Sequence, residues 1–265
     1  MKKDKIIIGS RGSKLALIYA EKVRLELQKK CLKKIEVKKI LTSGDENQID
    51  RISNLGGKGL FSKKIENEMI NNQIDIAVHA LKDMPSIETK GLTTNFFLKR
   101  NSPNEILISK GNIKFEDLKS NSIIGTSSYR REFQLRKKRS DLHYKLIRGN
   151  VDTRIKKLDS GEYDAILLSK AGIDALGFSK KISQEFSVDE LIPCAGQGII
   201  AIQCRENDND MKNILEKINN EESRILANAE REVLKILEGD CDTAVGVYAK
   251  IENEKINLKT ELFSV

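Results

Sequence analysis

The chain has 265 residues, of which 39% are hydrophobic and 32% charged, and a formal net charge of +8; that is enough for two or three modest domains with proper cores. No apolar run approaches the ~20 residues that span a bilayer, and the four cysteines, Cys31, Cys194, Cys204 and Cys241, form no C-x-x-C pair. With only His79 and His143 beside them, they argue against a metal site and fit reduced thiols in a cytoplasmic protein. The positive charge points to an anionic partner, but 5% aromatic residues and no Trp leave little to stack on bases, so nucleic acid ranks last among partners.

The opening Met-Lys-Lys-Asp-Lys leads into an Ile run without an apolar h-region or small-residue cleavage site, which predicts a first strand over Lys5–Ile8 and no signal peptide. Gly9-Ser10-Arg11-Gly12-Ser13 then precedes a helix expected from about Ser13 to Lys30, with Ala16, Ala20, Val23 and Leu27 at helical spacing. Ser13 can cap that helix, and the N–H groups at its start attract anions. After a strand at 35–41, the stretch Gly56-Gly57-Lys58-Gly59 is a glycine-rich loop in which Lys58 is free to approach a ligand. It does not satisfy the phosphate-loop pattern G-x-x-x-x-G-K-[ST].

In Ile74-Asp75-Ile76-Ala77-Val78-His79-Ala80 the alternating Ile and Val with Ala77 between them predict a strand covered on both faces. Pro85 has no N–H and pushes Met84 out of helical geometry, so the strand stops near there. Lys82 and Asp83 consequently stand at the carboxyl end of a strand, where open α/β sheets bind ligands. An isolated pair of this kind is ordinarily a surface ion pair.

Strands expected at 94–98 and 105–109 flank a crossover into a second alternating unit. It has a strand at 123–125, the turn Thr126-Ser127-Ser128, a helix over 129–139, a strand at 145–147, a helix carrying Val151, Ile155 and Leu158, and a strand at 165–168. Only 13 of the 47 basic residues are Arg, yet six of them (Arg130, Arg131, Arg136, Arg139, Arg148 and Arg154) fall within 25 residues. Arg adds a planar fork that grips carboxylates or phosphates in a bidentate way. Cations in the first turn of a helix oppose its dipole, and an anionic ligand would offset that. Pro193-Cys194-Ala195-Gly196-Gln197-Gly198 leads into a strand at 199–204, which a hinge could return to the first unit. Helices at 211–218 and 222–237 follow, then Leu237-Glu238-Gly239-Asp240-Cys241 and two strands, 244–251 and 255–263.

Taken together, His79-Ala80-Leu81-Lys82-Asp83-Met84-Pro85, Gly125-Thr126-Ser127-Ser128-Tyr129-Arg130-Arg131, Leu146-Ile147-Arg148-Gly149-Asn150-Val151-Asp152-Thr153-Arg154, Gly196-Gln197-Gly198 and Leu237-Glu238-Gly239-Asp240-Cys241 appear in this order. With Gly9 to Ala16 and the Lys58 loop they resemble the porphobilinogen deaminase (hydroxymethylbilane synthase) family over almost the whole chain. The resemblance implies an α/β fold with two type II periplasmic-binding-protein-like lobes and a small α+β C-terminal domain. The expected boundaries are 1–99 with 199–217 for domain 1, 104–193 for the Arg-rich domain 2 and 221–265 for domain 3.

It also implies an enzyme that joins four porphobilinogens head to tail on a covalent dipyrromethane primer, giving hydroxymethylbilane and ammonia for tetrapyrrole and haem synthesis. Asp83 would then be catalytic and Cys241 would carry the primer. Lys58, Lys82, Asp83, Thr126, Ser127, Ser128, Arg130, Arg131 and Gly149 would bind that cofactor, and Arg11, Ser13, Arg148 and Arg154 the substrate. No metal, membrane or nucleic acid is expected, and the protein would be a cytoplasmic monomer. Departures from the family pattern are Ala80 for Ser, Asn54 for Lys, Ala175 for Arg, and Asp152 and Asp240 for Gly. The chain also ends at Val265, before the family's usual end, so domain 3 is expected to be shortened with an uncovered face or edge. A two-lobed anion-binding protein without catalysis, or an impaired deaminase, is the alternative.

Overall fold

The structure, a computed structural model, describes residues 5–41, 62–239 and 243–264. The described residues form three sheets. The first has the strand order β2 (Lys34–Ile40), β1 (Lys5–Arg11), β3 (Ile76–Ala80), β10 (Ile200–Arg205), β4 (Leu92–Phe97), the second β7 (His143–Lys145), β6 (Ile123–Gly125), β8 (Ala165–Ser169), β5 (Glu105–Ser109), β9 (Gln184–Phe186), and the third is a hairpin, β11 (Val245–Glu252) with β12 (Lys255–Leu262).

In the first lobe β1 (Lys5–Arg11), helix α1 (Lys14–Gln28) and β2 (Lys34–Ile40) form a right-wound start to a parallel sheet, joined on the other side by β3 (Ile76–Ala80) after helix α2 (Lys63–Ile70). Ser13 caps α1, its hydroxyl oxygen accepting from the Ala16 N–H at 3.2 Å. The helix buries Tyr19, Ala20, Val23 and Leu27 against Ile6, Ile8, Ile76 and Val78. Ile65 and Met69 of α2 cover the opposite face at Ile40, Ile74 and Ala77. The apolar strand around Ile76 is therefore covered on both sides, as its composition requires. β4 (Leu92–Phe97) closes the edge, starting two residues earlier than expected because Leu92 reaches the α2 side of the core.

The second lobe repeats this plan. β5 (Glu105–Ser109), β6 (Ile123–Gly125), α3 (Tyr129–Arg136), β7 (His143–Lys145), α4 (Val151–Asp159), β8 (Ala165–Ser169), the short helix α5 (Lys170–Ala175) and β9 (Gln184–Phe186) follow in order. β6 is parallel to β7 and β8, whereas β5 is antiparallel to both β8 and β9. Helix α3 ends at Arg136, short of the expected 139. The reason is tertiary: Arg139 donates to the Phe115, Glu116 and Leu118 carbonyls and pairs with Asp141, which holds the following turn off the helix axis. β7 lies two residues earlier than expected, at the sheet edge.

The chain crosses between lobes twice. It leaves β4 for β5, and returns from β9 to β10 (Ile200–Arg205), which inserts antiparallel between β3 and β4. Each lobe's sheet thus has one strand entering from the other lobe at the same place in the order. That is the two-lobed binding-protein topology, as expected.

Helix α6 (Asn209–Glu216) then packs on the first lobe through Met211 and Leu215. Helix α7 (Glu221–Ile236) and the hairpin β11 (Val245–Glu252) and β12 (Lys255–Leu262) form the small third unit, where Leu234 meets Ala195, Val245 and Val247. β12 pairs only with β11 among the described residues, and Ile256, Leu258 and Leu262 on it are exposed.

The two crossings touch. The Gly198 carbonyl accepts from the Asn101 backbone N–H at 2.8 Å and from Asn101 Nδ2 at 3.0 Å. Gly198 has φ +83°, and a Cβ there would meet the Asn101 and Ser102 carbonyl oxygens at 2.6 and 2.7 Å. Neither oxygen can move without disturbing the crossing. Gly198→Ala is expected to lower the unfolding free energy by about 2–4 kcal/mol, measured by urea denaturation; a loss within experimental error would show that the crossing tolerates a side chain.

Candidate functional site

The carboxyl ends of the parallel strands in both lobes converge between them, which is where such sheets bind ligands. β1 delivers Arg11. β3 delivers the short 3-10 turn Leu81–Asp83, and thus Lys82 and Asp83. β6 delivers Thr126, Ser127 and Ser128, and β8 delivers Ser169.

Asp83 keeps 41% of its side chain exposed, and its Oδ2 is 4.0 Å from Arg11 Nη1. Burial, reinforced by the Asp83 charge, pushes the Tyr19 phenol up to about 12. His79, one turn back in β3, is held down to about 4 by burial despite its bond to Gln203, with the Arg11 charge adding to the effect, so it stays neutral under ordinary conditions.

Lys82 reaches across to the second lobe, where its Nζ donates to Ser169 Oγ at 3.2 Å and, at 3.5 Å, to Gln197 Oε1 in the returning crossing. Ser169 and Gln197 were not among the residues singled out from the sequence. Gln197, fully buried, lies within the Gly196-Gln197-Gly198 motif, so the motif carried a signal without the partner.

In the second lobe the hydroxyls of the β6–α3 turn are partly committed to the backbone. Thr126 is buried and its Oγ1 accepts from the Ser128 N–H at 3.2 Å, while Ser128 caps α3 by accepting from the Arg131 N–H at 3.5 Å. The turn thus satisfies two of its own donors, the Ser128 and Arg131 N–H groups.

Arg130 and Arg131 are both buried and converge on Glu105, which is fully buried at the start of β5. Arg130 Nη2 lies 2.6 Å from Glu105 Oε1, and Arg131 Nη2 lies 2.7 Å from Oε2. Arg130 also donates to the Ile192 carbonyl at 2.7 Å, and Arg131 to that of Leu167 at 3.1 Å. The anion facing the start of α3 is therefore in part an internal carboxylate. Glu105 went unnoticed in the sequence because a charged residue opening an apolar strand looks like a strand end.

Gly149, with φ +106°, turns the loop before α4 so that its carbonyl accepts from Arg154 Nε at 2.9 Å. Burial and the nearby charges of Arg131 and Arg148 together hold the Arg154 guanidinium down to about 10, with Asp83 pulling the other way. Arg131, Arg148 and Arg154 of the second lobe thus share one charged zone with Asp83, and through it with Arg11. Lys82 adjoins the same zone through Glu105, which feels its charge. The zone has more cations than the described carboxylates balance, and it suits a ligand bearing several carboxylates.

Arg136 and Arg139 stand apart, paired with Glu132 and Asp141 on the surface. Asp152 is exposed in the first turn of α4, where it favours the helix dipole. Ala175 packs against the first lobe's core. Lys58, Asn54, Asp240 and Cys241 lie outside the described residues. No group of three metal-ligating side chains, and no helix long and apolar enough to cross a membrane, occurs among the described residues.

Residues 6–213 match the family model "Porphobilinogen deaminase, dipyromethane cofactor binding domain", and residues 225–265 match "Porphobilinogen deaminase, C-terminal domain". The porphobilinogen deaminase of Oceanobacillus iheyensis is 41% identical over 256 residues, 96% of this chain and 83% of that protein. That of Geobacillus sp. (strain WCH70) is 42% identical over 260 residues, 97% and 84% of the two chains. Among solved structures, a lipoprotein from Bacillus subtilis superposes with TM-score 0.51 at 12% identity, covering 84% of this chain and 93% of its own. The VFT2 domain of BvgS from Bordetella pertussis does so with TM-score 0.50 at 12% identity, covering 89% and 92%. These last two support the fold alone.

Glu105 also sets a pH dependence. Burial alone would raise its pKa, but Arg131 and then Arg130 overrule it and leave it at about 2 instead of the ordinary 4.5. The unfolded chain therefore binds more protons between those values. The stabilisation from Glu105 is complete above the unfolded value and is lost as pH falls towards 2. Urea denaturation from pH 6 down to pH 2 is expected to show this loss, and Glu105→Gln to flatten that part of the curve; an unchanged slope would mean the carboxylate is not ionised in the fold.

Proposed function

The chain belongs to the porphobilinogen deaminase family, and from that premise we propose that it joins four porphobilinogens head to tail on a dipyrromethane primer, with loss of one ammonia per ring added, and that one water then cleaves the bond to the primer and releases hydroxymethylbilane. The observation that carries this reading is the partly exposed Asp83 carboxylate, set 4.0 Å from Arg11 within a zone otherwise dominated by Arg131, Arg148 and Arg154. The boundaries 1–99 with 199–217, 104–193 and 221–265 are the domain division that goes with it. A cytoplasmic monomer without nucleic-acid or membrane partners is the corresponding cellular picture.

The residues fit the group. A dipyrromethane bears two acetate and two propionate side chains, and the zone offers Arg131 and Arg148, whose charges both reach Arg154, together with Lys82 and the Ser127 hydroxyl. When bound, the primer supplies the pyrrole carbon to which the first substrate ring is joined. Cys241 is its attachment point through a thioether in this reading, the thiolate being the nucleophilic form.

Each residue then has a physical task. Arg11, Arg148 and Arg154 hold the substrate's carboxylates, with Ser13 at the α1 cap beside Arg11. Lys58 is a further cofactor-binding residue in this reading. Lys82 spans the lobes and keeps the ends of the two sheets in register. Asp83 faces the positive charge that develops on the pyrrole nitrogen as ammonia departs, and stabilises it electrostatically. Its carboxylate can also take up the pyrrole proton and return it.

Two measurements test this. In a host that makes porphobilinogen, the intact mass of the chain is expected to exceed the sequence mass by one dipyrromethane, and Cys241→Ser to lack the excess; an unmodified wild type would overturn covalent loading and leave the anion-binding reading. Asp83→Asn is expected to keep the added mass but release ammonia about 10²–10³-fold more slowly. Near-normal release would remove Asp83 from the chemistry.

A further inference from the structure

We propose that Glu105 is a positioning residue of the anion site, a buried carboxylate that aims the Arg131 guanidinium and sets how much positive charge the cleft presents; this rests on the deaminase reading and deepens it. Arg130 and Arg131 are consecutive in the first turn of α3, so their side chains leave the helix roughly 100° apart. Left to themselves they would not point to one place. Both nonetheless end on the two oxygens of Glu105, at 2.6 and 2.7 Å.

Each guanidinium is anchored further. Arg130 is fastened to the Ile192 carbonyl at 2.7 Å, beside the hinge residues Pro193 and Cys194. Arg131 is fastened to the Leu167 carbonyl of β8 at 3.1 Å, while its Nε is buried without a hydrogen-bond partner among the described residues. A buried, unpartnered donor on a fixed guanidinium is what a carboxylate ligand would complete. Arg130 has no comparable spare donor. The two neighbours therefore have different tasks: Arg130 ties α3 to the hinge, and Arg131 faces the ligand.

The charge balance leads to the same place. Glu105 lies within the field of Arg131, Arg130 and Lys82. Three cations against one carboxylate leave two positive charges, a match for two carboxylates of a pyrrole ligand. Without the carboxylate, three close cations would repel, and the two less confined ones, Arg131 and Lys82, would turn towards water. A glutamine at this position keeps the shape but cannot serve both arginines, because its NH2 would oppose one guanidinium. An aspartate keeps the charge.

The test compares the full-length wild type with Glu105→Gln, Glu105→Asp and Glu105→Ala, each produced in a host that makes porphobilinogen. Glu105→Gln is expected to lower kcat/KM for porphobilinogen by roughly 10- to 100-fold, mainly through KM, and to reduce the primer-loaded fraction seen by intact mass. Glu105→Asp should stay within roughly threefold of wild type. Added formate should restore Glu105→Ala by about tenfold while leaving the wild type unchanged; packing alone gives no reason for such rescue.

A Glu105→Gln chain that loads and turns over as wild type overturns the proposal. So does loss of function shared equally by Gln and Asp with no response to formate. If the Gln variant fails to fold, the Asp and formate arms decide. If the wild type itself is unmodified and releases no ammonia, the deaminase reading fails. The role of Glu105 is then read from citrate, expected to raise the melting temperature of wild type and of Glu105→Asp but not of Glu105→Gln; equal shifts in all three would overturn it.

Discussion

The buried carboxylate of Glu230 is where the three units meet. It lies on α7 and is fully buried. It accepts from Arg100 Nη1 at 2.6 Å in the outgoing crossing, from the Gly196 N–H at 2.7 Å in the returning one, and from the Ala249 N–H at 2.8 Å in β11. Arg100 in turn donates from Nε to the Gln197 carbonyl at 3.0 Å. One side chain thus fastens both lobe crossings to the third unit. Removing one member of such a buried pair leaves an uncompensated charge, which typically costs 3–5 kcal/mol. The cleft depends on this clasp, because Gln197, placed by it, also receives Lys82, the residue that bridges the lobes.

The molecule contains a second buried carboxylate with the opposite electrostatic character. For Glu230, burial raises the pKa even though Arg100 and the two backbone donors oppose it. For Glu105, two guanidinium groups overrule burial and the pKa falls. The difference is the count of cations. Glu230 meets one Arg within a neutral scaffold and acts as a mechanical clasp. Glu105 meets two, with Lys82 nearby, and is the buried counter-charge behind the cationic zone of the cleft. Both hold segments distant in sequence, Glu230 the crossings and β11, Glu105 the start of α3 against β5.

The architecture was legible in the sequence because its signals are local. Alternation at Ile74, Ile76 and Val78, the stripe of Ala20, Val23 and Leu27, and the break at Pro85 each specify an element without reference to anything distant. The return of 200–205 to the first sheet was legible from the glycines of Gly196-Gln197-Gly198, where positive φ at Gly196 and Gly198 marks a turn no other residue makes easily. The ends of α3 and β7 were misplaced because they are decided by Arg139 reaching the carbonyls of residues 115–118, a contact that periodicity does not encode. Family resemblance added the chemistry of Asp83 that no strand pattern contains.

The Arg cluster shows most clearly where such legibility stops. Six arginines in 25 residues announced an anion site, yet they divide into three groups. Arg136 and Arg139 are surface pairs, Arg130 is tied to Glu105 and the hinge, and Arg131, Arg148 and Arg154 share the charged zone with Asp83. What separates them is the partner of each, and those partners come from elsewhere in the chain: Glu105 from β5, the Leu167 carbonyl from β8, Asp83 from the other lobe. Composition can report that a cation is present, but burial and pairing decide whether its charge is already neutralised. In this cleft the neutralisation is deliberately incomplete. One carboxylate set against two guanidinium groups orders them without cancelling them, and the charge left over is what a ligand carrying several carboxylates can satisfy.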